Sequence, residues 1–458
     1  MHINNTITVE QLKPKLEHLF ELSGKKILSI EDTWDSSKGT PVFTVAGKYT
    51  TRGWTEWTQG FQFGSALLQF DATNDEQLLE IGRKNTIEKM APHVTHIGVH
   101  DHGFNNVSTY GNLRRLICEG RVPHDDWELH FCELALKASA AVQASRWSKT
   151  KDGKGYIYSF NGPHSLFADT IRSLRALASG HRLGHMLMGE GDQPTSLLER
   201  LIHHSETTAT YNVYYGEGRD AFDVRGRVAH ESVFNVNDGN YRCPSTQQGY
   251  SPFTTWTRGL AWIITGYAEQ LEFSETLPSE DLAPYGGRTQ VITHMVKAAK
   301  ATSDLYIENT ASDGIPYWDT GAPGLTKLGR YLERQAEPFN DIEPVDSSAA
   351  TIAAQGLIRL GNYLKKQGEM DVGKRYYQAG LTVADTVFSD HYLSESDEHQ
   401  GLILHSIYHR PNGWDSIPAD SAIPCGESSM WGDYHARELG LLLLRELEKR
   451  PYLTFWGE

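Results

Sequence analysis

Apolar residues recur at helical spacing from one end of this chain to the other, and β-branched alternation over strand length is rare. The spacing predicts helices over 7–22, 60–71, 75–91, 104–118, 125–147, 165–181, 194–207, 253–272, 289–309, 347–366, 370–388 and 427–447. These pair naturally into helix–loop–helix hairpins. Between them run connectors rich in Gly, Pro, Asn, Asp and aromatics, notably 30–56, 208–250, 310–345 and 389–426. Loops this long are uncommon unless they are functional or pair into small sheets. A short hairpin is expected where Tyr211-Asn212-Val213-Tyr214-Tyr215 and Ser232-Val233-Phe234-Asn235-Val236 face one another across charged and glycine residues. No composition break or linker divides the 458 residues, so the expectation is one all-α domain over 1–458, a toroid of helical hairpins with small β-hairpins.

A formal charge of −15 opposes binding to nucleic acid or to an anionic membrane, since both demand a basic field. No run approaches the roughly 20 apolar residues that cross a bilayer. The start Met1-His2-Ile3-Asn4-Asn5 has neither a basic nor an apolar leader region, which favours the cytoplasm, or the periplasm if a signal peptide has been removed. Cys118, Cys132, Cys243 and Cys425 lie far apart without zinc-type spacing and read as free thiols. No metal and no cofactor is expected, and the sequence leaves the oligomeric state open.

Two acids stand out against this background. Asp101 lies in His100-Asp101-His102-Gly103-Phe104, and Asp169 stands alone in the apolar run Ser165-Leu166-Phe167-Ala168-Asp169-Thr170-Ile171. Carboxylates are costly to desolvate, so a pair placed where the chain buries apolar surface points to acid–base chemistry. Trp54, Trp57, Phe61 and Phe63 cluster at a loop–helix junction, where each ring is either a face for a sugar or a core plug. Arg258, between aromatics in Trp256-Thr257-Arg258-Gly259-Leu260-Ala261-Trp262, suits a carboxylate ligand or an internal ion pair. His230 taken alone reads as a hydrogen-bonded structural histidine, and Asp346 reads first as a helix N-cap.

In this order the segments resemble the unsaturated glucuronyl hydrolases of glycoside hydrolase family 88, with family 105 as close kin. His100-Asp101 with Gly103-Phe104 is similar to that family's His-Asp-Ile-Gly-Phe element, and Ala168-Asp169-Thr170 to its second aspartate segment. Gln248-Gly249-Tyr250 followed by Trp256-x-Arg258-Gly259-x-Ala261-Trp262 carries the most specific likeness. Tyr317-Trp318-Asp319, Asp346-Ser347-Ser348-Ala349-Ala350 and Trp431-Gly432-Asp433-Tyr434 complete the series, so that the resemblance runs from about Trp57 to the C-terminal helix. Departures are Gln62 for an aromatic, His102 for an aliphatic residue, Leu260 for a glutamine, and a longer 208–230 connector.

The resemblance implies an (α/α)6 barrel and an unusual hydrolysis. The substrate is an oligosaccharide left by a polysaccharide lyase, whose terminal uronic acid carries a C4=C5 double bond. It further implies that Asp169 protonates C4 and takes a proton from water, with a pKa raised by burial and by its neighbour. Asp101 would be that neighbour, ionised. His100, His230 and Gln248 would line the sugar, Arg258 would hold the uronate carboxylate, and Trp57 and Trp262 would wall the ring. Two other readings use the same residues: inverting hydrolysis of a saturated glycoside by the two aspartates, and a sugar-binding barrel without turnover.

Overall fold

The computed structural model describes residues 1–53 and 56–457. Among these residues twelve helices of seven residues or more follow in sequence: α1 Val9–Thr33, α2 Gln59–Thr73, α3 Glu76–Lys89, α4 Asn112–Cys118, α5 Asp126–Ser145, α6 Arg175–Arg182, α7 Leu197–Tyr211, α8 Thr257–Thr276, α9 Gly287–Asn309, α10 Ser347–Lys366, α11 Met370–Val387 and α12 Met430–Leu447. Local chemistry starts many of them. Thr8 and Gln11 close a capping box on α1, and Asp125, Ser196, Asp346 and Ser429 cap α5, α7, α10 and α12 through their side chains.

Burial sorts the helices into two rings. The helices α8, α10 and α12 are buried nearly all round, whereas α1, α9 and α11 each keep a solvent face. These inner helices pack on one another, α8 on α10, α10 on α12 and α12 on α2, while α1, α3, α9 and α11 lie outside them. This is the expected (α/α)6 barrel. One apolar core runs continuously from Ile7 to Trp456. The ring's centre is ionic: Arg172 bridges Glu269 at 3.0 Å and Glu438 at 2.8 Å, and Arg175 reaches Glu438 at 3.3 Å, all nearly or fully buried. No helix among the described residues is long and apolar enough to cross a membrane.

Departures from the sequence expectations gather near the two acids. The helix expected over 104–118 is divided into His102–Asn105, a π-helical turn Val107–Gly111, and α4. The helix expected over 165–181 begins instead as the strand Ser165–Phe167, and helical geometry starts only after Asp169. That strand pairs antiparallel with Glu231–Phe234, which pairs in turn with Tyr241–Ser245. The strand expected near 232–236 is therefore present, but its partners differ: Tyr211-to-Tyr215 contributes only an isolated bridge from Val213 to Val228.

Candidate active site

The loops ahead of the inner helices meet at one end of the barrel around a pocket. Trp57 precedes α2, Trp256 caps α8, Asp346 caps α10, and Trp431 opens α12. Their rings and charges touch: Trp57 stacks on Trp431 with centroids 5.1 Å apart, and the Arg258 guanidinium lies 4.6 Å from the ring centres of both Trp256 and Trp431. Four long helices thus aim their N-terminal dipole ends at a common volume, a field that favours an anionic ligand despite the acidic surface.

Asp101 and Asp169 meet in this pocket although 68 positions separate them in the chain. Each begins a short helix, yet neither uses its carboxylate as a cap. Close packing brings them together. A Cβ on Gly103 would lie 2.1 Å from the Ser173 carbonyl oxygen, so only glycine lets the turn after Asp101 rest on the turn after Asp169. The Ser173 hydroxyl accepts from Gly103 N–H at 2.9 Å and donates to the His100 carbonyl at 2.7 Å.

His100 organises the pair. Its Nε2 lies 2.9 Å from Asp169 Oδ2 and 3.6 Å from Asp101 Oδ1. On the other side, His230 Nδ1 accepts from the backbone N–H of Gln247 at 3.1 Å, which puts the ring proton on Nε2. That Nε2 lies 3.8 Å from Asp169 Oδ1, and neither atom has a hydrogen-bond partner among the described residues. The backbone places His230 there: the Ala168 N–H donates to the His230 carbonyl at 2.8 Å.

The electrostatics run opposite to the sequence expectation. Burial pushes the Asp101 carboxyl up to about 6, against a partial pull from His100 and with a further push from Asp169. Burial acts on Asp169 too, but the charge and hydrogen bond of His100, with His230 behind them, bring it well below the usual carboxylate range. Despite its own burial, His100 is raised by the two acids. Below about pH 6 the negative charge of the pair therefore sits on Asp169 and the proton on Asp101. The reason is that His100, beside Asp101 in sequence, spends its hydrogen bond on Asp169. His100, Asp101 and Asp169 also present ligand atoms within 4.8 Å of one another, a spacing at which they could hold a metal ion.

Arg258 occupies a different position from a free carboxylate clamp. Its guanidinium is buried, and its Nη2 donates to Tyr408 O at 2.7 Å and to Gln248 Oε1 at 2.8 Å, while Nη1 donates to Ile407 O. Trp57 and Trp262 line the pocket with Phe104 between them, at 6.2 and 4.9 Å from its ring. Phe61 and Phe63 are buried core plugs, and Trp54 lies outside the described residues. Of the expected site residues, Trp57, His100, Asp101, Asp169, Gln248, Arg258 and Trp262 line one pocket, with His230 just behind Asp169. The sequence reading did not single out Phe160, Tyr408, His409, Asn412 or Trp414 as pocket walls. Most of these come from the long 389–426 connector, whose length was the available signal. His409 is brought down to about 4 by burial and by the Arg258 charge.

No protein-family model matches the chain. It is similar to the unsaturated glucuronyl hydrolase of Bacillus sp. (strain GL1), at 24% identity over 90% of this chain and 91% of that one. It is also similar to the unsaturated chondroitin disaccharide hydrolase of Streptococcus agalactiae, at 20% over 95% and 93%. Among solved structures, the Bacillus sp. GL1 enzyme aligns with a TM-score of 0.69 at 21% identity, covering 95% of this chain and 97% of that chain. A heparin-specific unsaturated glucuronyl hydrolase aligns with a TM-score of 0.71 at 17% identity, covering 96% and 100%. The fold is the one these structures share, and the resemblance carried by the sequence motifs is borne out by these relatives.

Proposed function

We propose that this protein is an unsaturated glucuronyl hydrolase, releasing the terminal 4,5-unsaturated uronic acid from lyase-generated oligosaccharides by hydrating the C4=C5 bond. The observation that carries the reading is the carboxylate pair sharing His100 at the floor of a tryptophan-walled pocket. The relatives named above act in the same sense. Their differing names, for chondroitin and for heparin, leave the leaving-side sugar of this chain to experiment.

The alkene is an enol ether, so a proton delivered to C4 leaves an oxocarbenium-like cation at C5. Water adds there and gives its proton to the pair. The resulting hemiketal opens, and C1, now a hemiacetal carbon, releases the adjoining sugar. The two acids hold one proton between them below about pH 6, and that proton belongs to the pair rather than to either residue. Asp169 is our choice for the delivering group: it lines the pocket beside Asp101, and the proton stored on Asp101 passes to it as C4 takes its own. Asp101 stores the proton at rest and, once ionised, stabilises the cation. Trp57 and Trp262 hold the ring, and the inner-helix ends with Arg258 supply the positive field for the uronate.

Inverting hydrolysis of a saturated glycoside fits the spacing less well: it needs its carboxyl groups about 6.5–9.5 Å apart to admit a water. Here an oxygen of each acid lies within 4.8 Å of the other. One barrel domain over 1–458 would carry the whole reaction, in the cytoplasm or, where a leader is removed, the periplasm. The test is to supply unsaturated disaccharides from chondroitin, heparin, hyaluronan, alginate, ulvan, gellan and pectin and to follow the ultraviolet absorbance of the conjugated alkene. Loss of absorbance with at least one of them is expected. Persistent absorbance with all of them, alongside cleavage of a saturated glycoside, overturns the reading.

A further inference from the structure

Arg258 carries charge beside the pocket, yet three of its hydrogen-bonding directions are committed to Ile407 O, Tyr408 O and Gln248 Oε1. Behind it, away from the pocket wall, lies Asp346, which is fully buried. Its Oδ1 performs the expected capping, accepting from Ser348 N–H at 3.0 Å and Ala349 N–H at 3.3 Å, and it also accepts from Ile407 N–H at 3.4 Å. Capping needs only that one oxygen, and Ser, Thr or Asn would supply it. The second oxygen, Oδ2, has no hydrogen-bond partner among the described residues and faces Arg258 Nη1 at 4.0 Å.

A buried oxygen without a hydrogen bond is costly unless charge nearby compensates it. Asp346 therefore does two things at once. It ties the 407–408 backbone to the start of α10, and it holds the guanidinium whose other side grips that same backbone. The guanidinium in turn fixes Gln248. Arginine only donates, so the Gln248 atom facing it must be the amide oxygen, and the amide nitrogen is left for the pocket that Gln248 lines.

We propose that Asp346 is a positioning residue for substrate recognition: through Arg258 it locks the Gln248 amide so that Gln248 Nε2, rather than the guanidinium itself, donates to the uronate carboxylate. Asp346 does not touch the substrate. The positive charge of Arg258 acts on the carboxylate from behind the amide, at second hand. This rests on the reaction proposed above and changes which group makes the contact.

The experiment uses the full chain. Asp346→Asn keeps the capping oxygen and removes the charge opposite Arg258, and Asp346→Ser keeps a capping hydroxyl. For an unsaturated disaccharide that the wild type consumes, both should raise KM about tenfold with kcat changed less than threefold, measured on folded protein well below the lowered thermal midpoint that loss of a buried anion brings. Gln248→Ala should give a similar KM, and the Asp346→Asn/Gln248→Ala double variant should be no worse than the poorer single one. An unchanged KM in a folded Asp346 variant overturns the proposal, and so do losses that multiply in the double variant. If Asp346→Asn fails to fold, Asp346→Ser decides. Should the wild type leave every unsaturated disaccharide intact, it is the proposed reaction that fails. Calorimetry with glucuronate on wild type and Asp346→Asn then tests the positioning role separately, and equal affinity overturns it.

Discussion

His100 sets the acid–base behaviour of the pocket, because one nitrogen, Nε2, faces both carboxylates at 2.9 and 3.6 Å. Two substitutions should therefore move the pH–rate profile in opposite directions. In wild type, kcat/KM should fall about tenfold per pH unit once the pair loses its proton above about 6. Asp101→Asn removes the proton store and the like charge, leaving Asp169 held low by His100, so the fall moves to lower pH and the rate near neutrality drops about a hundredfold or more. His100→Ala releases Asp169 to the effect of its burial, so the fall moves to higher pH. Identical profiles in the two variants would remove His100 from this role. Stability follows the same sign logic. Asp101 is raised on folding, so its contribution is fully present below its unfolded value of about 4 and is lost as pH rises through about 6. Asp101→Asn should flatten that dependence in thermal melts. Because His100, Asp101 and Asp169 also sit at metal-ligand spacing, dialysis against a chelator is the companion test. Activity retained after chelation is expected of side-chain acid catalysis, and activity restored only by added metal would reassign the three residues as ligands. Both acids and His100 were legible in the sequence as residues. Which acid holds the proton was not, because the contact that decides it spans 69 positions. Arg258 was legible as a charge near the site, but its commitments to carbonyls of the 407–408 backbone depend on a connector with no local signal of where it folds.

At the scale of elements, the catalytic geometry depends on two short helices rather than on the long ones that build the barrel. His102–Asn105 rests on Thr170–Ser173 at Gly103, and a hydrogen-bond clasp of Ser173, Gln143 and the His100 carbonyl holds the contact. Gly103→Ala puts a methyl 2.1 Å from a backbone oxygen and 2.7 Å from the Ser173 Cα, neither of which can swing aside as a side-chain end could. The helices must separate, at a cost of about 1–3 kcal/mol. A separation of about 1 Å between Asp101 and Asp169 should lower kcat about a hundredfold. Thermal denaturation and alkene turnover measured on the same preparation check this. A variant with wild-type kcat would show that the acids need not be held this closely. The long helices were readable because amphipathic periodicity accumulates over fifteen to twenty positions. Ser165–Phe167 was not, since three residues carry no period, and their strand partner, Glu231–Phe234, lies beyond two helices, α6 and α7, and a long loop. The same non-local pairing sets His230 beside Asp169, which is why His230 taken by itself read as structural.

Across the whole molecule, the ring of inner helices does two jobs, at its two ends. At one end the starts of α2, α8, α10 and α12 converge, and their dipoles offset locally a net charge of −15 that would otherwise repel a uronate. The other end must keep the ring closed. Asp71, fully buried in the last turn of α2, accepts from Arg115 of α4 at 2.7 Å, from Arg121 at 2.6 Å and from Arg445 of α12 at 2.6 Å, and it also contacts Arg450. Glu119 shares two of these arginines, at 3.2 Å from Arg115 and at 3.0 Å from Arg445. The clasp therefore joins α2 to α4 and to α12, across the seam where the first and last inner helices meet. Removing its central anion while leaving the cations buried is the expensive way to break such a network, at about 3–5 kcal/mol. Asp71→Asn should accordingly lower the thermal midpoint by several degrees. Since α2 is about 22 Å long and Trp57 lies beyond its far end, kcat at 25 °C should stay close to the wild-type value. A double substitution that also removes one cation, Asp71→Asn with Arg121→Met, should recover part of the loss, because fewer buried charges remain uncompensated. An unchanged midpoint in Asp71→Asn would mean that the seam is held by apolar packing of α1, α2 and α12 alone. A loss of kcat in the folded variant would mean instead that the two ends of the barrel are mechanically coupled.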